Sequence, residues 1–288
     1  MTKIGFVGLG AMGSRMAGRL LGDHEVYGTN RTRAKAAGLI ERGMKWRDTP
    51  REVAAEADLL FSMVTDDAAL KAIADGADGI VAGLKPGQVY VDMSTVSPRA
   101  SRDVAGRARA LGASMLDAPV SGSVTAADEG SLAIMVGGPQ DAFRSVEPVL
   151  HELGHNVTYV GGNGQGLMLK LAINISLAAQ MLAFSEGVLL AERGGIDPEL
   201  AAQVMTGSAI GSPMLQARAP LMLKLPEQAW FDVRLMHKDI GLVLDTARTE
   251  HVPVPTAEAS GRVLARAEEL GYGQRDIAAF FEVLQQMP

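Results

Sequence analysis

Residues 3–13 have the sequence KIGFVGLGAMG, which places three glycines directly after a compact apolar run. Lys3–Val7 has the composition of a buried strand, and residues 11–21 have the apolar spacing of a helix. Between them, Gly8, Gly10 and Gly13 form the pattern G-x-G-x-x-G. In this position the glycines permit a tight turn, a close approach of the backbone to a pyrophosphate, and close packing of the helix on the strand. This stretch therefore predicts a dinucleotide site formed by Gly8, Leu9, Gly10, Ala11, Met12 and Gly13. A glycine-rich turn without a ligand is the alternative.

The segment after the second predicted strand, residues 24–28, indicates which dinucleotide binds. Proteins that bind NAD usually carry an acidic residue about 20 positions after the glycines, where it contacts the ribose 2′-hydroxyl. This chain instead continues with Asn30, Arg31 and Thr32. A guanidinium can pair with a 2′-phosphate, and Asn30 and Thr32 can donate hydrogen bonds to it. We therefore expect NADP(H), with NAD(H) still possible if Arg31 is only a solvated loop charge.

Two later strand ends should lie in the same crevice, because ligands of such sheets bind at the carboxyl ends of the strands. Residues 59–64 and 88–92 are the predicted strands. Met63 and Val64 at the end of the first are candidate apolar walls for the cofactor, and Thr95 after the second is a candidate hydrogen-bond donor to it. All three also fit ordinary strand ends.

The chain changes character near residue 162. Before it, predicted strands alternate with helical stretches at 98–111 and 140–150, and weaker strand patterns occur at 114–117, 131–136 and 157–160. After a glycine-rich stretch at 161–166 the pattern is helical, over 167–193, 197–205, 232–249, 256–269 and 276–285. We therefore predict an α/β protein: a Rossmann-type doubly wound sheet at 1–162, followed by an all-α domain at 163–288 for substrate binding and oligomerisation.

Composition excludes several classes of function. The 288 residues carry a net charge of −6, which disfavours binding to nucleic acids, and contain no cysteine, which excludes disulfides, thiol nucleophiles and zinc–cysteine sites. No metal site is predicted. No basic region followed by an apolar run marks a signal peptide, so a cytoplasmic protein is expected. Residues 155–185 contain one charged side chain, Lys170; a buried helix of a soluble protein is preferred to a membrane span, because a charge at mid-span is costly in lipid.

That single charge is also the best candidate for chemistry. Lys170 and Asn174 lie four residues apart and therefore on one face of a helix. A buried ammonium can donate a proton, and the amide can orient both the ammonium and a substrate oxygen. The alternative is a snorkelling lysine at a domain edge. Lys238 lies on a second apolar stripe with Leu235 and Leu242, while Asp239 is expected to face elsewhere.

A third candidate segment is DAPVSGS at residues 117–123. It ends a strand and enters a loop of small residues. The hydroxyl of Ser121 and the backbone N–H groups of Gly122 and Ser123 form a candidate site for a small carboxylate, because successive N–H groups make an anion-binding concavity.

Together these motifs resemble the β-hydroxyacid dehydrogenase family, along essentially the whole chain. GLGAMG at 8–13 is similar to the family's cofactor motif, DAPVSG at 117–122 to its substrate motif, and residues 164–174 to its catalytic motif, with Lys170 and Asn174 in the lysine and asparagine positions. Lys238-Asp239 resembles a late pair whose lysine lies near cofactor and substrate. Ser123 departs from the glycine that the family usually has, so the exact shape of the carboxylate loop is open.

The resemblance implies a hydride transfer between NADP(H) and a small β-hydroxy acid or semialdehyde, with Lys170 as general acid and base. Relatives that decarboxylate 6-phosphogluconate carry a glutamate three residues after the asparagine, where this chain has Leu177, so simple carbonyl–alcohol interconversion is preferred. Ser212-Pro213-Met214 resembles a segment of glyoxylate/succinic semialdehyde reductases. An imine reductase of similar architecture and a non-catalytic dinucleotide-binding module remain alternatives. The long apolar helix leads us to expect a homodimer or homotetramer.

Overall fold

The first of two compact units is built on one mixed sheet. The computed structural model describes residues 2–287, and the chain divides into the two units after Lys170. Within these residues nine strands form the sheet, in the order β3-β2-β1-β4-β5-β6-β8-β7, with β9 also paired to β8. Their bounds are β1 (Lys3–Val7), β2 (Glu25–Thr29), β3 (Lys45–Trp46), β4 (Leu59–Ser62), β5 (Val89–Asp92), β6 (Ser114–Asp117), β7 (Val120–Ser121), β8 (Ala133–Gly137) and β9 (Asn156–Gly161).

The strands from β3 to β6 are parallel to their neighbours, so their carboxyl ends share one edge of the sheet. The chain order reverses between β1 and β4, which is the position where open α/β sheets bind ligands. Alternate residues of β1 enter different cores: Ile4 and Phe6 belong to one cluster, and Val7 belongs to another. Both faces of the sheet are therefore covered, and the predicted doubly wound fold is confirmed.

Helices connect these strands. They are α1 (Gly13–Leu20), α2 (Ala37–Glu41), α3 (Pro50–Glu56), α4 (Asp67–Ala74), α5 (Ile80–Gly83), α6 (Pro98–Ala110), α7 (Val124–Glu129) and α8 (Gln140–Leu153). Helices α3 and α4 were not predicted, because they are too short to show a clear apolar period. Their caps were visible signals: Thr49 forms a capping box with Glu52, and Asp66 accepts from the N–H of Ala69.

The sheet turns antiparallel at β8, which pairs with β6 and β7 together. Pro119 separates those two short strands, since proline has no N–H to donate, and its carbonyl accepts from the N–H of Met135 at 3.2 Å. The predicted strand at 131–136 is displaced to Ala133–Gly137. This pairing holds the DAPVSGS segment against the sheet.

The second unit is helical throughout the residues that the structure describes. Helix α9 (Gln165–Arg193) starts in the first unit, and the later helices are α10 (Pro198–Gly207), α11 (Pro213–Leu223), α12 (Val233–Thr249), α13 (Pro255–Glu269) and α14 (Phe280–Gln285). The all-α prediction is confirmed, although α11 was missed. The helix predicted at 276–285 is a 3₁₀ turn, Ile277–Ala279, followed by α14, because Asp276 is drawn inward as a hydrogen-bond acceptor.

The compact units divide within α9, whereas the sequence placed the domain boundary near residue 162. The reason is local: the first turn of α9 belongs to the first unit, where Leu167 is fully buried in a core cluster with Val7 and Tyr90. The boundary at 162 marks where strands end, and it stays a prediction about domains.

Helix α9 is long and apolar enough to cross a membrane by length and composition, with a mean hydropathy of 1.7 over an 18-residue window. The core helix of a soluble protein meets the same criterion. Ala178, Met181, Phe184 and Val188 of α9 belong to the core cluster of the second unit. This packing supports the buried-helix interpretation.

One buried carboxylate organises the second unit. Asp276 is fully buried and accepts from the Nη1 of Arg218 at 2.7 Å, from the N–H groups of Trp230 and Phe231 at 2.8 and 3.1 Å, and from that of Ala278 at 3.0 Å. Arg218 is itself 8% exposed, and desolvation lowers its pKa. The carboxylate therefore joins α11, the segment before α12 and the C-terminal turn.

Replacing Asp276 with alanine should lower the free energy of unfolding by about 3–5 kcal/mol, because it leaves a buried guanidinium without its counter-charge. Urea denaturation of the intact chain, followed by tryptophan fluorescence, measures the change. Asp245→Ala is the matched control, since its ion pair with Arg248 is exposed and screened by solvent. Equal stability losses in the two variants would contradict the assignment.

Candidate active site

The glycine turn after β1 has the shape that a pyrophosphate requires. Gly8 adopts φ +94°, and a Cβ there would lie 2.3 Å from the carbonyl oxygen of Met63. A Cβ on Gly13 would lie 2.0 Å from the carbonyl oxygen of Gly8, so glycine lets α1 pack against the turn. A Cβ on Gly10 would meet no atom within 4 Å, which leaves its surface open to a ligand. The tight turn at Gly8 and the close packing at Gly13 therefore agree with the motif, and the contact of Gly10 with a pyrophosphate stays a prediction.

Helix α1 begins with unused hydrogen-bond donors. Its first turn has no acidic residue, and the residue before it, Met12, supplies no side-chain cap. Within residues 2–287, the N–H groups of Ala11, Met12 and Gly13 are donated to no protein acceptor. Free N–H groups at a helix start, together with the helix dipole, attract anions. The turn fits the phosphates of a dinucleotide, all within the first unit.

Asn30 at the end of β2 braces this turn. Its Oδ1 accepts from the N–H of Leu9 at 3.1 Å, and its Nδ2 donates to the carbonyl of Thr32 at 3.0 Å. The amide was predicted to contact a 2′-phosphate, and here it also shapes the loop. Arg31 and Thr32 are exposed beside it, and Arg33 stacks over the ring of Trp46 at 5.2 Å.

Met63, Val64 and Thr95 follow β4 and β5 at the shared carboxyl edge and are partly buried. The sequence did not reveal which hydrogen bonds hold these residues at the edge. The N–H of Val64 donates to the Oγ of Ser94 at 2.8 Å, and the hydroxyls of Ser94 and Ser62 each donate to the Oδ1 of Asp92 at 2.6 Å. Burial raises the pKa of Asp92. This buried network fixes the two loops next to the glycine turn.

The predicted carboxylate loop begins at β7. Ser121 is partly buried at the end of that strand, and Gly122 adopts φ +149°, where a Cβ would come within 2.8 Å of Leu132. The side chain of Ser123 accepts from the N–H of Ala126 at 3.2 Å and so caps α7. The serine that departs from the family pattern therefore stabilises the helix that follows the loop.

Asp117, four residues before Ser121, has a role that the sequence did not reveal. Its Oδ1 accepts from the N–H of Gly164 at 2.6 Å, and its Oδ2 accepts from the N–H of Leu167 at 3.0 Å. One carboxyl thus joins the end of β6 to the start of α9. Cβ atoms on Gly137 or Gly166 would lie 2.9 Å from its oxygens, so glycines leave the room that it needs.

The Asp117 carboxyl is fully buried, and burial raises its pKa from 3.8 to about 7. The two N–H groups that it accepts from oppose this shift, while the carboxyl of Asp92, on the neighbouring strand, adds to it. The buried carboxyl of Asp117, beside the start of α9, therefore gains or loses its proton near neutral pH.

Lys170 and Asn174 lie one turn apart on α9, as predicted. Lys170 is 8% exposed and Asn174 is fully buried. A snorkelling lysine keeps its ammonium group in water and would have a larger exposed fraction. In the second unit the Nδ2 of Asn174 donates to the Oδ2 of Asp239 at 2.6 Å. The Oδ1 of Asn174 is buried and finds no hydrogen-bond partner among the described residues.

The prediction that Asp239 faces elsewhere is wrong. Asp239 is 2% exposed, and its Oδ1 lies 2.6 Å from the Nζ of Lys238. The buried stripe of α12 runs through Met236, Asp239, Ile240 and Val243, one residue further along the chain than the predicted stripe. Asp239 thus contacts two predicted site residues, Asn174 and Lys238, which the sequence did not reveal. Lys238 lies at the edge of the stripe and is partly exposed.

Two sequence profiles cover almost the whole chain. One, described as the NAD binding domain of 6-phosphogluconate dehydrogenase, matches residues 3–161, and one described as the NAD-binding of NADP-dependent 3-hydroxyisobutyrate dehydrogenase matches residues 164–284. The chain belongs to the β-hydroxyacid dehydrogenase family. As a member of the β-hydroxyacid dehydrogenase family it is an NAD(P)-dependent oxidoreductase that acts on CH–OH groups of hydroxy acids.

Individual members of the family are similar to this chain along almost its whole length. Glyoxylate/succinic semialdehyde reductase 2 of Arabidopsis thaliana is 34% identical over 285 residues, which cover 99% of this chain and 80% of the relative. The 2-hydroxy-3-oxopropionate reductase of Escherichia coli is 34% identical over 286 residues, 99% of this chain and 98% of the relative. The solved structure of Mycobacterium tuberculosis 3-hydroxyisobutyrate dehydrogenase with L-serine has a TM-score of 0.89 at 29% identity, covering 99% of both chains.

The raised pKa of Asp117 predicts a specific pH dependence of stability. Because the folded state holds this proton more tightly than the unfolded chain, the carboxyl contributes most stability below about pH 4 and loses it as the pH rises through about 7. Asp117→Asn removes this titration. In urea denaturation series from pH 4 to 8, wild type should therefore lose stability relative to the variant as the pH rises. A stability difference that stays constant across this range would contradict the prediction.

Proposed function

We propose that the protein transfers a hydride between NADP(H) and the carbonyl carbon of a small β-hydroxy acid or semialdehyde, with Lys170 as general acid and base. The observation that supports this most is the mostly buried lysine on a helix whose first N–H groups are fixed by Asp117. The bound nicotinamide supplies or accepts the hydride. The backbone N–H groups of residues 11–13 would hold the phosphates of the dinucleotide.

Lys170 acts on the substrate oxygen. In reduction its ammonium donates a proton to the developing alkoxide, and in oxidation the neutral amine accepts it back. Its positive charge also stabilises that oxygen in the transition state. The buried Oδ1 of Asn174, one turn later, is suited to orient the ammonium, since its Nδ2 is already donated to Asp239.

Ser121, Gly122 and Ser123 are proposed to hold the substrate carboxylate, so that the carbonyl is fixed in position for reaction. The pairing of β7 with β8 and the capping of α7 by Ser123 give this segment a defined backbone. Lys238 is proposed to contact cofactor or substrate. Leu177 in place of an acid favours carbonyl–alcohol interconversion over decarboxylation.

Replacing Lys170 with alanine should lower kcat by about 10²–10⁴-fold, because the proton donor is lost, while cofactor binding survives. Steady-state kinetics with glyoxylate, succinic semialdehyde and 3-hydroxyisobutyrate measure kcat. Fluorescence titration with NADPH measures cofactor binding. Lys71→Ala, an exposed lysine on α4, is the control and should change neither. Near-normal turnover in Lys170→Ala would overturn the proposal, and turnover of a cyclic imine in preference to these substrates would assign an imine reductase.

The cofactor is proposed to be NADP(H), supported by the absence of an acid after β2, by exposed Arg31, and by the NADP-dependent family whose profile matches residues 164–284. Arg31→Ala should weaken NADPH binding by about 10–100-fold, since charge-assisted hydrogen bonds contribute about 1.5–3 kcal/mol, and leave NADH binding unchanged. Titrations of both cofactors measure this. An NADH preference in wild type would contradict it.

We further propose a homodimer or homotetramer in the cytoplasm. The second unit exposes large apolar side chains whose burial in an interface would be favourable: Leu190 (75% exposed), Val204 (62%), Ile210 (62%) and Leu200 (51%).

A further inference from the structure

The carboxyl of Asp117 is a buried titratable group to which the proposed reaction assigns no role. It accepts from the N–H of Gly164 at 2.6 Å and from the N–H of Leu167 at 3.0 Å. Lys170 follows Leu167 by three residues, which is about one turn along α9. Within the first unit, this carboxyl therefore contacts the segment that carries the proposed proton donor.

The start of α9 lies directly against the sheet. A Cβ on Gly166 would lie 2.5 Å from the carbonyl oxygen of Met135 and 2.9 Å from the Oδ2 of Asp117. A Cβ on Gly137 of β8 would lie 2.8 Å from the backbone nitrogen of Gly166. Because no flexible side chain separates these groups, a small displacement of the Asp117 carboxyl is transmitted to the backbone of α9.

Both hydrogen bonds favour the ionised carboxylate. An ionised carboxyl accepts at both oxygens, whereas a protonated one carries an O–H on one of them. Hydrogen bonds to a charged acceptor are also about twice as strong as those to a neutral one. The bond from Leu167 to Oδ2 is the longer of the two, so Oδ2 is the oxygen that loses less by taking the proton. Protonation therefore weakens the hold of Asp117 on the first turn of α9.

We propose that Asp117 is a positioning residue for proton transfer: its carboxylate holds the first turn of α9 so that Lys170 reaches the substrate oxygen, and a proton on the carboxyl lowers the rate. This inference rests on the proposed function of Lys170. A misplacement of about 1 Å can cost about 10²-fold in rate. Loss of one bond at the helix start should therefore lower the rate of reduction while cofactor binding survives.

The surroundings of Asp117 determine the pH at which it titrates. Burial, and to a smaller extent the carboxyl of Asp92, its register partner on β5, raise the pKa of Asp117 to about 7. Arg102 of α6 lies beside Gly164, where a Cβ would be 3.1 Å from the Nη1 of that arginine, and α9 carries Lys170. β8 places a glycine opposite Asp117. The rate of reduction should therefore rise as the pH passes through about 7.

Ionisation of Asp117 should have opposite effects on stability and on rate. The folded state holds the proton more tightly than the unfolded chain does, so the free energy of unfolding falls as the pH rises through about 7. The rate of reduction should rise over the same range. A carboxyl that only supported the fold would change both quantities in the same direction, because activity would follow the folded fraction.

The single-turnover rate of NADPH oxidation tests the inference in the intact protein. It is measured by stopped flow from pH 5.5 to 8, with whichever of glyoxylate and succinic semialdehyde wild type reduces faster. Asp117→Asn places a donor where the protonated acid has its O–H, so its rate should stay low and lack the rise. Wild type should exceed this variant by about 10-fold or more at pH 8 and by less than about 3-fold at pH 5.5. NADPH binding should be unchanged.

A second variant distinguishes the two buried carboxyls. Asp92→Asn keeps the Oδ1 that accepts from Ser62 and Ser94 but removes the neighbouring charge. The rise in rate should move to lower pH in this variant, because the pKa of Asp117 falls. The matched control is Asp197→Asn, whose exposed carboxyl also accepts two N–H groups of a helix start, at α10. It should keep the wild-type profile.

A wild-type rate that does not rise with pH, or a rise that persists in Asp117→Asn, would overturn the inference. So would disappearance of the rise in Asp92→Asn, because the titration would then belong to Asp92. If Asp117→Asn does not fold, Asp92→Asn decides: a rise moved to lower pH supports the inference, and an unmoved or abolished rise overturns it.

Lys170→Ala is measured in parallel so that the two proposals fail separately. Near-normal turnover in this variant would overturn the proposed function. Loss of turnover in Lys170→Ala together with a wild-type pH profile in Asp117→Asn would overturn only the positioning role of Asp117.

Discussion

The carboxyl of Asp117 accepts hydrogen bonds from the N–H groups of Gly164 and Leu167, and the site of the first unit depends on this interaction. It ends β6, where the DAPVSGS segment begins, and it caps the start of α9, which carries Lys170 one turn later. Gly137 and Gly166 pack directly against it, and neither position has room for a side chain. A single buried group therefore determines where both the proposed carboxylate loop and the proton donor begin.

This arrangement has an energetic cost. Burying a carboxyl raises its pKa to about 7 although two N–H groups favour the charged form. Asp92 shows the same compromise, since two serine hydroxyls stabilise a fully buried carboxyl whose pKa is still raised. Both lie at adjacent strand ends of the edge that carries the glycine turn. Buried groups with shifted pKa values occur most often at sites of binding or catalysis.

The parts of the fold predicted from sequence are those set by local patterns. The strand at residues 3–7, the glycine turn and Ser114–Asp117 were predicted at their observed positions, because residue type and spacing within a few positions decide them. Lys170 stood out for a similar reason, as one charge in a long apolar stretch. The short helices α3 and α4 lacked a period, and only their caps indicated them.

Long-range pairing decided what could not be predicted. Asp117 contacts residues 47 and 50 positions away, and Asp239 meets Asn174 at a separation of 65. The orientation of Asp239 was mispredicted because the choice between adjacent stripes on α12 depends on what packs against that helix. Asn30 showed a related effect: the sequence indicated a ligand contact, and the fold also uses its amide to brace the glycine turn.

Chemical rescue of Lys170→Ala by small amines tests most directly whether Lys170 supplies a proton as well as a charge. Reductase activity of the variant is measured with increasing methylammonium and, in parallel, with tetramethylammonium, which has the same charge but no transferable proton. If Lys170 is the general acid, methylammonium restores part of the lost rate in proportion to its concentration and tetramethylammonium does not. Equal rescue by both ions would show that only the charge matters and would contradict the proton-transfer role.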